Sequence, residues 1–318
     1  MSGTPLSYLV GFGIKAYPVT SLTWGLLIIS VVVTVIITVL VLVGIWLKRI
    51  RVAAPADTPP ASGAPGGSWI VIGVGISSLA LLGSLVWTVV VLAAINAPPR
   101  KPGLTIEVTG QQWWWKARYL SDDASRILTT ANEFHIPTGV PVRVKLIGAD
   151  VIHSFWVPAL AGKTDTIPGQ TNETWIEANA PGRYEGQCTE YCGAEHGHMQ
   201  FYIVAESPDR FRAWWNAQLE PAPPPSSDQL AQGERLFVFH CGACHTVRGT
   251  MAGGSVAPDL THLMSRKTIA AGTLPNTVAN LSGWIANPQA IKPDTLMPTL
   301  YLSGPELTDI RSFLQTLN

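Results

Sequence analysis

Two long uncharged runs constrain the fold of this chain more than any other feature. The first reads "LTWGLLIISVVVTVIITVLVLVGIWL" and the second reads "WIVIGVGISSLALLGSLVWTVVVLAAINA". Because about 20 apolar residues span a bilayer as a helix, the sequence predicts transmembrane helices at about 22–47 and 69–95. A cleaved signal peptide is the alternative for the first run, but that run is longer than an ordinary signal-peptide core and lacks a basic start. The chain is therefore predicted to be a multi-pass membrane protein.

Basic residues on the two sides of this hairpin predict its orientation. The loop between the helices holds Lys48, Arg49 and Arg51, whereas Arg100 and Lys101 follow the second helix. Since cytoplasmic loops carry the excess of Lys and Arg, the loop is expected in the cytoplasm and both ends of the chain outside. The formal net charge is zero and no basic patch stands out, so nucleic acid is not an expected partner.

The chain divides into four segments by composition and pattern. After the hairpin, short alternating runs separated by Gly, Pro and Asn predict an all-β sandwich or barrel. The stretch "SPDRFRAWWNAQL" predicts a closing helix with Ser207 as its N-cap and Pro208 at its start. "EPAPPPSSD" is a proline-rich linker, expected to be extended, and the pattern beyond it is helical. The predicted segments are 1–97 (N-terminal segment and hairpin), 98–219 (β domain), 220–228 (linker) and 229–318 (helical domain).

Sulfur and imidazole groups cluster in "GQCTEYCGAEHGHM", residues 186–199. Cys188 and Cys192 are separated by three residues, and His196 and Met199 follow closely. A disulfide is one interpretation for an outward-facing domain, but it leaves the histidine and the methionine without a role. Zinc is a second interpretation, although thioether is a poor zinc ligand. Thiolate, imidazole and thioether together suit copper, and two thiolates in one loop would bridge two copper ions.

Each copper ion would then need a terminal imidazole, so a second histidine is expected from elsewhere in the chain. His153 in "DVIHSFWVP" is the preferred candidate because it lies near the end of a strand-like run, where a sandwich presents its loops. His198 is interpreted as solvent-facing. His135 lies in another strand-like run and has no partner pattern.

The β domain resembles the copper A domain of cytochrome c oxidase subunit II. The resemblance rests on the two apolar helices and on "GQQWWWKARY", "DVIHSFWVPALAGKTDTIPG" and "GQCTEYCGAEHGHM", in the family's order. It implies a cupredoxin-like β-sandwich that holds a dinuclear copper centre. The implied ligands are the bridging Cys188 and Cys192, the terminal His153 and His196, the axial Met199 and the backbone carbonyl of Glu190. The Glu190 side chain would reach a magnesium or manganese ion shared with subunit I. Trp113 would admit electrons to copper A, while Trp114 and Trp115 are interpreted as packing residues.

The motif formed by Cys241, Cys244 and His245 is the attachment sequence of a c-type haem, with two thioethers and one iron ligand. A disulfide or redox pair is the alternative, which the flanking helices and a downstream methionine disfavour. A low-spin electron-transfer haem needs a sixth ligand, and methionine raises its potential. The candidates are Met251, Met264 and Met297. Met297 is preferred because "TLMP" before the last helix resembles class I cytochromes c, as does "APDL" with Pro258.

The whole chain resembles subunit II of caa-type cytochrome c oxidases, in which an all-α cytochrome c domain follows the copper A domain. The resemblance implies that haem c accepts electrons from a donor such as a cytochrome c or a cytochrome bc-type complex. Electrons would pass to copper A and on to haem a of subunit I, where oxygen is reduced and protons are pumped. The implied partners are subunit I, with haem a and the haem-copper site, and subunit III. The implied location is the bacterial inner (plasma) membrane, with both cofactor domains on the periplasmic or outer face. The chain would be an enzyme only as part of that complex.

One departure from the family pattern concerns the loop between the helices. Many relatives place an acid at a proton entrance near the start of the second helix, but "ASGAPGGSW" has none and Asp57 is the only acid of the loop. A proton-entrance role is therefore not predicted. Three other functions are alternatives for a chain of this kind. A quinol-oxidase subunit II lacks the copper ligands, and a nitrous-oxide reductase carries a large extra catalytic domain without this hairpin. A free-standing membrane electron shuttle would have no subunit I.

Overall fold

The computed structural model describes residue 6, residues 8–51 and residues 66–318. Within them, Tyr17–Ala97 forms one compact unit, and the β-sandwich together with the C-terminal domain forms the other. Residues 52–65 of the loop that was predicted to face the cytoplasm, with Asp57, lie outside the described residues, whereas Lys48, Arg49 and Arg51 belong to the end of the first helix.

The N-terminal unit consists of two helices, α1 (Ala16–Arg51) and α2 (Gly66–Ile95). Both are long and apolar enough to cross a membrane. Three hydroxyl side chains lie within the apolar run of α1, and each donates to a carbonyl oxygen one turn earlier. Ser30 donates to Leu26, Thr34 to Ser30 and Thr38 to Thr34. A polar group that is satisfied within its own helix can remain where no water is available.

Two five-stranded sheets form the β-sandwich that the alternating runs predict. Its strands are β1 (Leu104–Gln111), β2 (Trp114–Leu120), β3 (Leu128–Ala131), β4 (Glu133–Pro137), β5 (Val142–Gly148), β6 (His153–Trp156), β7 (Thr164–Thr166), β8 (Thr171–Ile176), β9 (Gly182–Cys188) and β10 (Gln200–Glu206). One sheet has the order β3-β2-β1-β5-β8, and the other has the order β4-β10-β9-β6-β7. The β1–β5 and β4–β10 pairs are parallel, and the remaining pairs of these sheets are antiparallel.

Aromatic side chains fill the space between the sheets. Alternate residues of β1 and β2 point inward, as the two-residue period of a strand requires. Trp115 on β2 is fully buried and meets Phe155 and Phe201 of the opposite sheet edge-on, with ring centroids 5.9 and 5.4 Å apart. These contacts fix β6 and the start of β10, next to the sulfur-rich cluster.

The helix α3 (Pro208–Leu219) closes the sandwich as predicted. The side chain of Ser207 caps it by accepting a hydrogen bond from the Arg210 amide at 3.5 Å, and Pro208 occupies the first turn. Phe211 and Trp215 pack from this helix into the sandwich core. The linker then turns to the next domain, where the Ala222 amide donates to the Arg248 carbonyl oxygen at 2.8 Å.

The C-terminal domain is built from four helices around its own apolar core. They are α4 (Asp228–His240), α5 (Val278–Ala286), α6 (Pro288–Ile291) and α7 (Gly304–Leu314). α4 and α7 cross at Gly233, where an added Cβ would lie 2.2 Å from the Asp309 carbonyl oxygen. Any larger residue would force the two helices apart, so the crossing depends on this glycine.

Capping side chains fix where these helices begin. Ser227 accepts from the Leu230 amide at the start of α4, and Ser303 forms a capping box with Glu306 at the start of α7. Such a cap is worth about 1 kcal/mol. The domain was predicted as all-α, and it also contains a small antiparallel pair, β11 (Thr268–Ile269) and β12 (Leu274–Pro275).

Candidate metal centre and haem cavity

Strand pairing assembles the sulfur-rich cluster from two distant stretches of sequence. β9 ends at Cys188 and β10 begins at Gln200. The loop between these two strands carries Cys192, His196 and Met199. β6 begins at His153 and pairs with β9, with Phe155 opposite Cys188. The sandwich therefore brings His153 to the same end as the two cysteines.

The donor atoms of the cluster converge within hydrogen-bond and van der Waals distance. The Cys188 Sγ lies 3.8 Å from the Cys192 Sγ and 3.9 Å from the His153 Nδ1. The Cys192 Sγ lies 3.5 Å from the His196 Nδ1 and 3.8 Å from the Met199 Sδ. The two cysteines, His153 and Met199 are buried. The cysteines are reduced, so the disulfide interpretation does not describe this loop.

The backbone carbonyl and the side-chain carboxylate of Glu190 lie in different surroundings. Its backbone carbonyl oxygen faces the cluster and lies 3.3 Å from the Cys188 Sγ. The residue itself is exposed, so its carboxylate is directed away from the buried sulfurs.

The two thiols titrate as a coupled pair. A hydrogen bond from Cys192 lowers the pKa of the Cys188 thiol to about 4, and His153 adds to this effect. The same hydrogen bond to Cys188, together with burial, raises the pKa of Cys192. The pair thus loses one proton readily and holds the other, which a bound cation would displace.

Asp150 orients the imidazole of His153. Its Oδ1 lies 2.8 Å from the His153 Nε2, on the far side of the ring from the cysteines. Burial disfavours the charged imidazole, but hydrogen bonding to Cys188 and Asp150 outweighs it and raises the pKa of His153. Sequence reasoning missed Asp150, although a carboxylate three residues before a ligand histidine was visible. A carboxylate behind a ligating histidine fixes its ring orientation.

Two tryptophans donate hydrogen bonds to the backbone of the cluster. The indole nitrogen of Trp115 donates to the Met199 carbonyl oxygen at 3.4 Å, and that of Trp113 donates to the Cys192 carbonyl oxygen at 3.0 Å. Gly193 follows with a φ of +118°, and a Cβ there would lie 2.9 Å from the Trp113 ring. The turn therefore admits Trp113 only because residue 193 is glycine.

This donor set fits a pair of copper ions. The ligand atoms of His153, Cys188 and Cys192 all lie within 4.8 Å of one another in a buried pocket. His196, Met199 and the Glu190 carbonyl add one imidazole, one thioether and one oxygen at the same cluster. Two thiolates with imidazole and thioether donors match soft copper better than zinc, which rarely uses methionine.

The other two cysteines lie on the wall of a cavity in the C-terminal domain. Cys241, Cys244 and His245 line it at the end of α4 and in the turn that follows. Apolar side chains complete much of the wall, among them Leu281, Ile285, Ile310 and Leu314. A covalently attached haem fits such a cavity, because thiols, an imidazole and an apolar lining face the same space.

His245 is held in one tautomer. Its Nδ1 lies 2.8 Å from the Pro258 carbonyl oxygen, so this nitrogen carries a proton and donates. The Nε2 is left as the nitrogen with a free lone pair. Burial lowers the pKa of His245 and keeps the imidazole neutral, as an iron ligand must be.

Only one of the three candidate methionines lines this cavity among the described residues. Met297 does so, and the Gln289 side chain fixes its backbone by donating to its carbonyl oxygen at 2.8 Å. Met264 packs against the apolar core of the domain instead, with its amide donating to the Leu317 carbonyl oxygen. Met251 is exposed on the surface.

The sandwich contributes part of the haem cavity wall. Gln112, Trp113 and Trp114 line it together with Lys292 of the C-terminal domain. The side chain of Trp113 is buried in this wall, with only 6% of it exposed. Trp114 was interpreted as a packing residue of the sandwich, and its place in the cavity wall was missed. So was that of Lys292, since nothing in the local sequence marks either contact.

The remaining histidines of the β domain lie away from the sulfurs. The His198 side chain is about half exposed and pairs with Glu195, 2.5 Å from its Nδ1. His135 stacks on Trp214 and lies between two carboxylates of β4 and β10, those of Glu133 and Glu206.

Comparisons with known proteins match two segments of the chain to known families. Residues 116–207 match the family model of the cytochrome c oxidase subunit II periplasmic domain, and residues 230–318 match the cytochrome c family model. The chain is 37% identical over 214 residues to cytochrome c oxidase subunit 2 of Alkalihalophilus pseudofirmus, a match that covers 67% of this chain and 60% of that relative.

Two further relatives carry the same description. Cytochrome c oxidase subunit 2 of a Bacillus species is 31% identical over 237 residues, covering 70% of this chain and 65% of the relative. The Bacillus subtilis protein is 29% identical over 268 residues, covering 79% of this chain and 73% of the relative. The first two matches thus span just under two thirds of the length of those relatives.

Proposed function

This chain belongs to the cytochrome c oxidase subunit II family and carries a C-terminal cytochrome c domain, and on that basis we propose that it relays electrons within a terminal oxidase. Electrons from an outside donor would be accepted at haem c, passed to copper A and delivered to haem a of subunit I. Oxygen reduction to water and proton pumping would take place in subunit I. The chain is thus one part of an oxidoreductase, with electron transfer as its own task.

The sandwich would hold the copper pair through the six residues assigned from sequence. Cys188 and Cys192 would bridge the ions, His153 and His196 would bind one each, and Met199 and the Glu190 carbonyl would be weak ligands. Bound there, the copper pair supplies a one-electron carrier. Asp150 orients His153, and the buried Trp115 fixes the Met199 backbone, so the ligands stay in place whichever charge state is present.

The C-terminal domain would hold haem c. Cys241 and Cys244 would form the thioether bonds, His245 would bind iron through its Nε2, and Met297 would be the sixth ligand. Bound there, haem c supplies a second one-electron carrier. Pro258 keeps the His245 tautomer correct, and Gln289 fixes the backbone of Met297. The apolar wall excludes water from the cavity.

Glu190 would also connect this chain to subunit I. Its exposed carboxylate is free to reach a magnesium or manganese ion at the boundary between the two subunits. We propose that its partners are subunit I, subunit III and a cytochrome c or cytochrome bc-type electron donor. We place the hairpin in a bacterial plasma membrane, with both cofactor domains on the outer face.

The observation that carries this proposal is the double contact of Trp113. Its side chain lines the haem cavity, and its indole nitrogen donates to the carbonyl oxygen of Cys192. One residue thus joins the cavity that fits haem c to the loop that fits copper A. This double contact supports a role for Trp113 in the passage of electrons from haem c to copper A.

The test uses the purified complex that co-isolates with this chain. In the wild type, photoreduction of haem c should be followed by reduction of copper A and then of haem a. Cys188→Ser should lose the mixed-valence copper signal in electron paramagnetic resonance and stop the sequence at haem c. Reduction of haem a at the wild-type rate in a copper-free variant would overturn the route. Isolation of the chain without any haem-copper subunit would instead favour a free-standing shuttle.

A further inference from the structure

A buried lysine joins the C-terminal domain to the sandwich. Lys292 follows α6 and is only 2% exposed, which is rare for lysine. Its ammonium nitrogen lies 2.5 Å from the Trp113 carbonyl oxygen and 2.7 Å from the His198 carbonyl oxygen, and it donates to both. One side chain of the C-terminal domain (the haem domain) thus reaches two separate loops of the sandwich (the copper domain).

Both of those loops belong to the copper site. Trp113 lies between β1 and β2, and its indole nitrogen and the Gln112 side-chain amide both donate to the Cys192 carbonyl oxygen, at 3.0 and 2.7 Å. His198 lies directly before Met199 in the ligand loop. Lys292 therefore fixes the tryptophan turn and the ligand loop at the same time.

On its own side, Lys292 belongs to the segment that carries the sixth-ligand methionine. Lys292 and Met297 both line the haem cavity. Gln289 ties the segment together by donating to the carbonyl oxygens of Thr295 and Met297 at 2.7 and 2.8 Å. A shift of Lys292 relative to the sandwich would move this wall of the cavity with it.

The position of this amine is energetically demanding. Burial lowers the pKa of Lys292 to about 7, and the charge of Glu195 opposes that effect. A buried amine is tolerated only where hydrogen-bond acceptors and opposite charge compensate for lost water. Here the acceptors are two main-chain carbonyls, and Glu195 in the ligand loop supplies the charge.

Other bonds between the two domains each reach at most one of these loops, among them the 3.5 Å bond that the Gln111 side-chain amide donates to the Val256 carbonyl oxygen. The Gln200 amide donates to the Ala271 carbonyl oxygen at 3.0 Å, and the Lys267 amide donates to the Glu133 carboxylate at 3.2 Å. These bonds hold the β11–β12 hairpin against β4 and β10. They would keep the domains in contact without setting the alignment of the haem cavity with Trp113.

We propose that Lys292 is a positioning residue for electron transfer, which aligns the haem cavity with the Trp113 turn by binding the Trp113 and His198 carbonyls. This inference rests on the proposed function, because it assumes that haem c and copper A occupy the two sites. The step it aligns is the transfer of one electron, which oxidises the haem iron and reduces the copper pair with no bond made or broken.

The test compares Lys292→Met with Lys267→Met in the full complex. Methionine fills similar volume but cannot donate, and the side chain of Lys267 is exposed beside the same interface, which makes it a matched control. Transfer from haem c to copper A should slow by about tenfold or more in Lys292→Met, because small misplacements of reacting groups are costly in rate. Haem and copper content, both potentials and reduction of haem c by its donor should stay at wild-type values, as they should in Lys267→Met.

A second readout does not depend on electron transfer. A specific protease site inserted after Pro224, in the exposed linker, allows the chain to be cut in the assembled complex. The haem-bearing fragment should stay bound to the membrane part in the wild type and in Lys267→Met, and should dissociate more readily in Lys292→Met. Should Lys292→Met fail to load its cofactors, Lys292→Gln takes its place with the same expectation, since glutamine is too short to reach both carbonyls.

The outcomes separate the two proposals. A Lys292 variant with full cofactor content, the wild-type transfer rate and wild-type fragment retention would overturn the role of Lys292 and leave the proposed function intact. If haem c of the wild-type complex never reduced copper A, the proposed function itself would fail.

Discussion

The Nε2 of His153 lies 2.8 Å from the Asp150 Oδ1, while its Nδ1 faces the Cys188 sulfur at 3.9 Å. The ring is thus held between a carboxylate and a thiol, and the nitrogen that would bind copper is set by the bond made at the other nitrogen. Asp150 also accepts from the Gln112 amide at 2.7 Å, next to the Trp113 turn.

Asp150→Asn should weaken copper binding without unfolding the sandwich. The amide is isosteric but uncharged, so it supports His153 less well, and loss of such a partner lowers metal affinity by about 10–100-fold. Copper content after a chelator challenge measures the effect. Asp122→Asn, at an exposed aspartate, is the control. Equal copper retention in both variants would show that Asp150 does not support the site.

Met199→Leu should keep copper and change its potential. The thioether is buried 3.8 Å from the Cys192 sulfur, and leucine fills nearly the same volume without a donor. An axial thioether tunes a copper site more than it holds the ion. Redox titration with copper quantification checks this, and an empty site in Met199→Leu would contradict the axial role.

Met297→His should keep haem c and lower its potential, because imidazole favours ferric iron more than thioether does. Reduction by the donor becomes harder, so donor-driven turnover should slow, while flash-induced transfer to copper A should not. Met264→Leu is the control, since Met264 packs in the core rather than on the cavity wall. An unchanged haem potential in Met297→His would show that Met297 is not the sixth ligand.

The stability of the sandwich should fall as pH rises above 6.5, through His135. Burial opposes its charge, but hydrogen bonds with Glu133 and Glu206 outweigh it and raise the pKa of His135 above 6.5. The stabilisation is therefore complete below pH 6.5 and is lost as pH rises through the folded value. Thermal loss of the copper band, followed against pH, measures it.

The two carboxylates of this cluster act in the opposite pH range. Hydrogen bonding to His135 lowers the pKa of Glu206, and the pKa of Glu133 is also lowered, since His135 and the Lys267 amide outweigh burial. Their contribution is present above pH 4.5 and is lost as pH falls through the folded values. His135→Asn should reduce the loss of stability that the wild type shows as pH rises above 6.5. A decline as steep as in the wild type would exclude His135 as its source.

The orientation of the chain is open to a direct test. Protease added to intact spheroplasts should cut the 220–228 linker and yield a haem-staining fragment, because both cofactor domains are expected outside. Inverted vesicles should be protected. Cleavage in inverted vesicles alone would show that the orientation predicted from Lys48, Arg49 and Arg51 is backward.

The sequence predicted those parts of both sites whose residues lie close together along the chain. Cys188 to Met199 fall in one loop, and Cys241 to His245 fall in one turn, so spacing alone indicates their chemistry. Pairing of β6 with β9 was needed to bring in His153, and a strand-end argument sufficed to propose it.

Contacts between domains could not be predicted in the same way. Lys292 and Trp113 are 179 residues apart, and the acceptor is a main-chain oxygen that every residue carries. Trp114 likewise belongs to a strand of the sandwich, yet it lines a cavity in another domain. Such contacts depend on how two finished folds meet, which no local pattern records.

The copper domain meets Lys292 and Ala271 through the Trp113 carbonyl, the His198 carbonyl and the Gln200 amide, all of them backbone groups. Mutational drift at His198 or Gln200 would leave those groups in place, because any residue other than proline supplies both. In evolutionary terms the constraint is one-sided. The haem domain must conserve one lysine, while the two carbonyl oxygens that receive its ammonium group persist through substitution at either position.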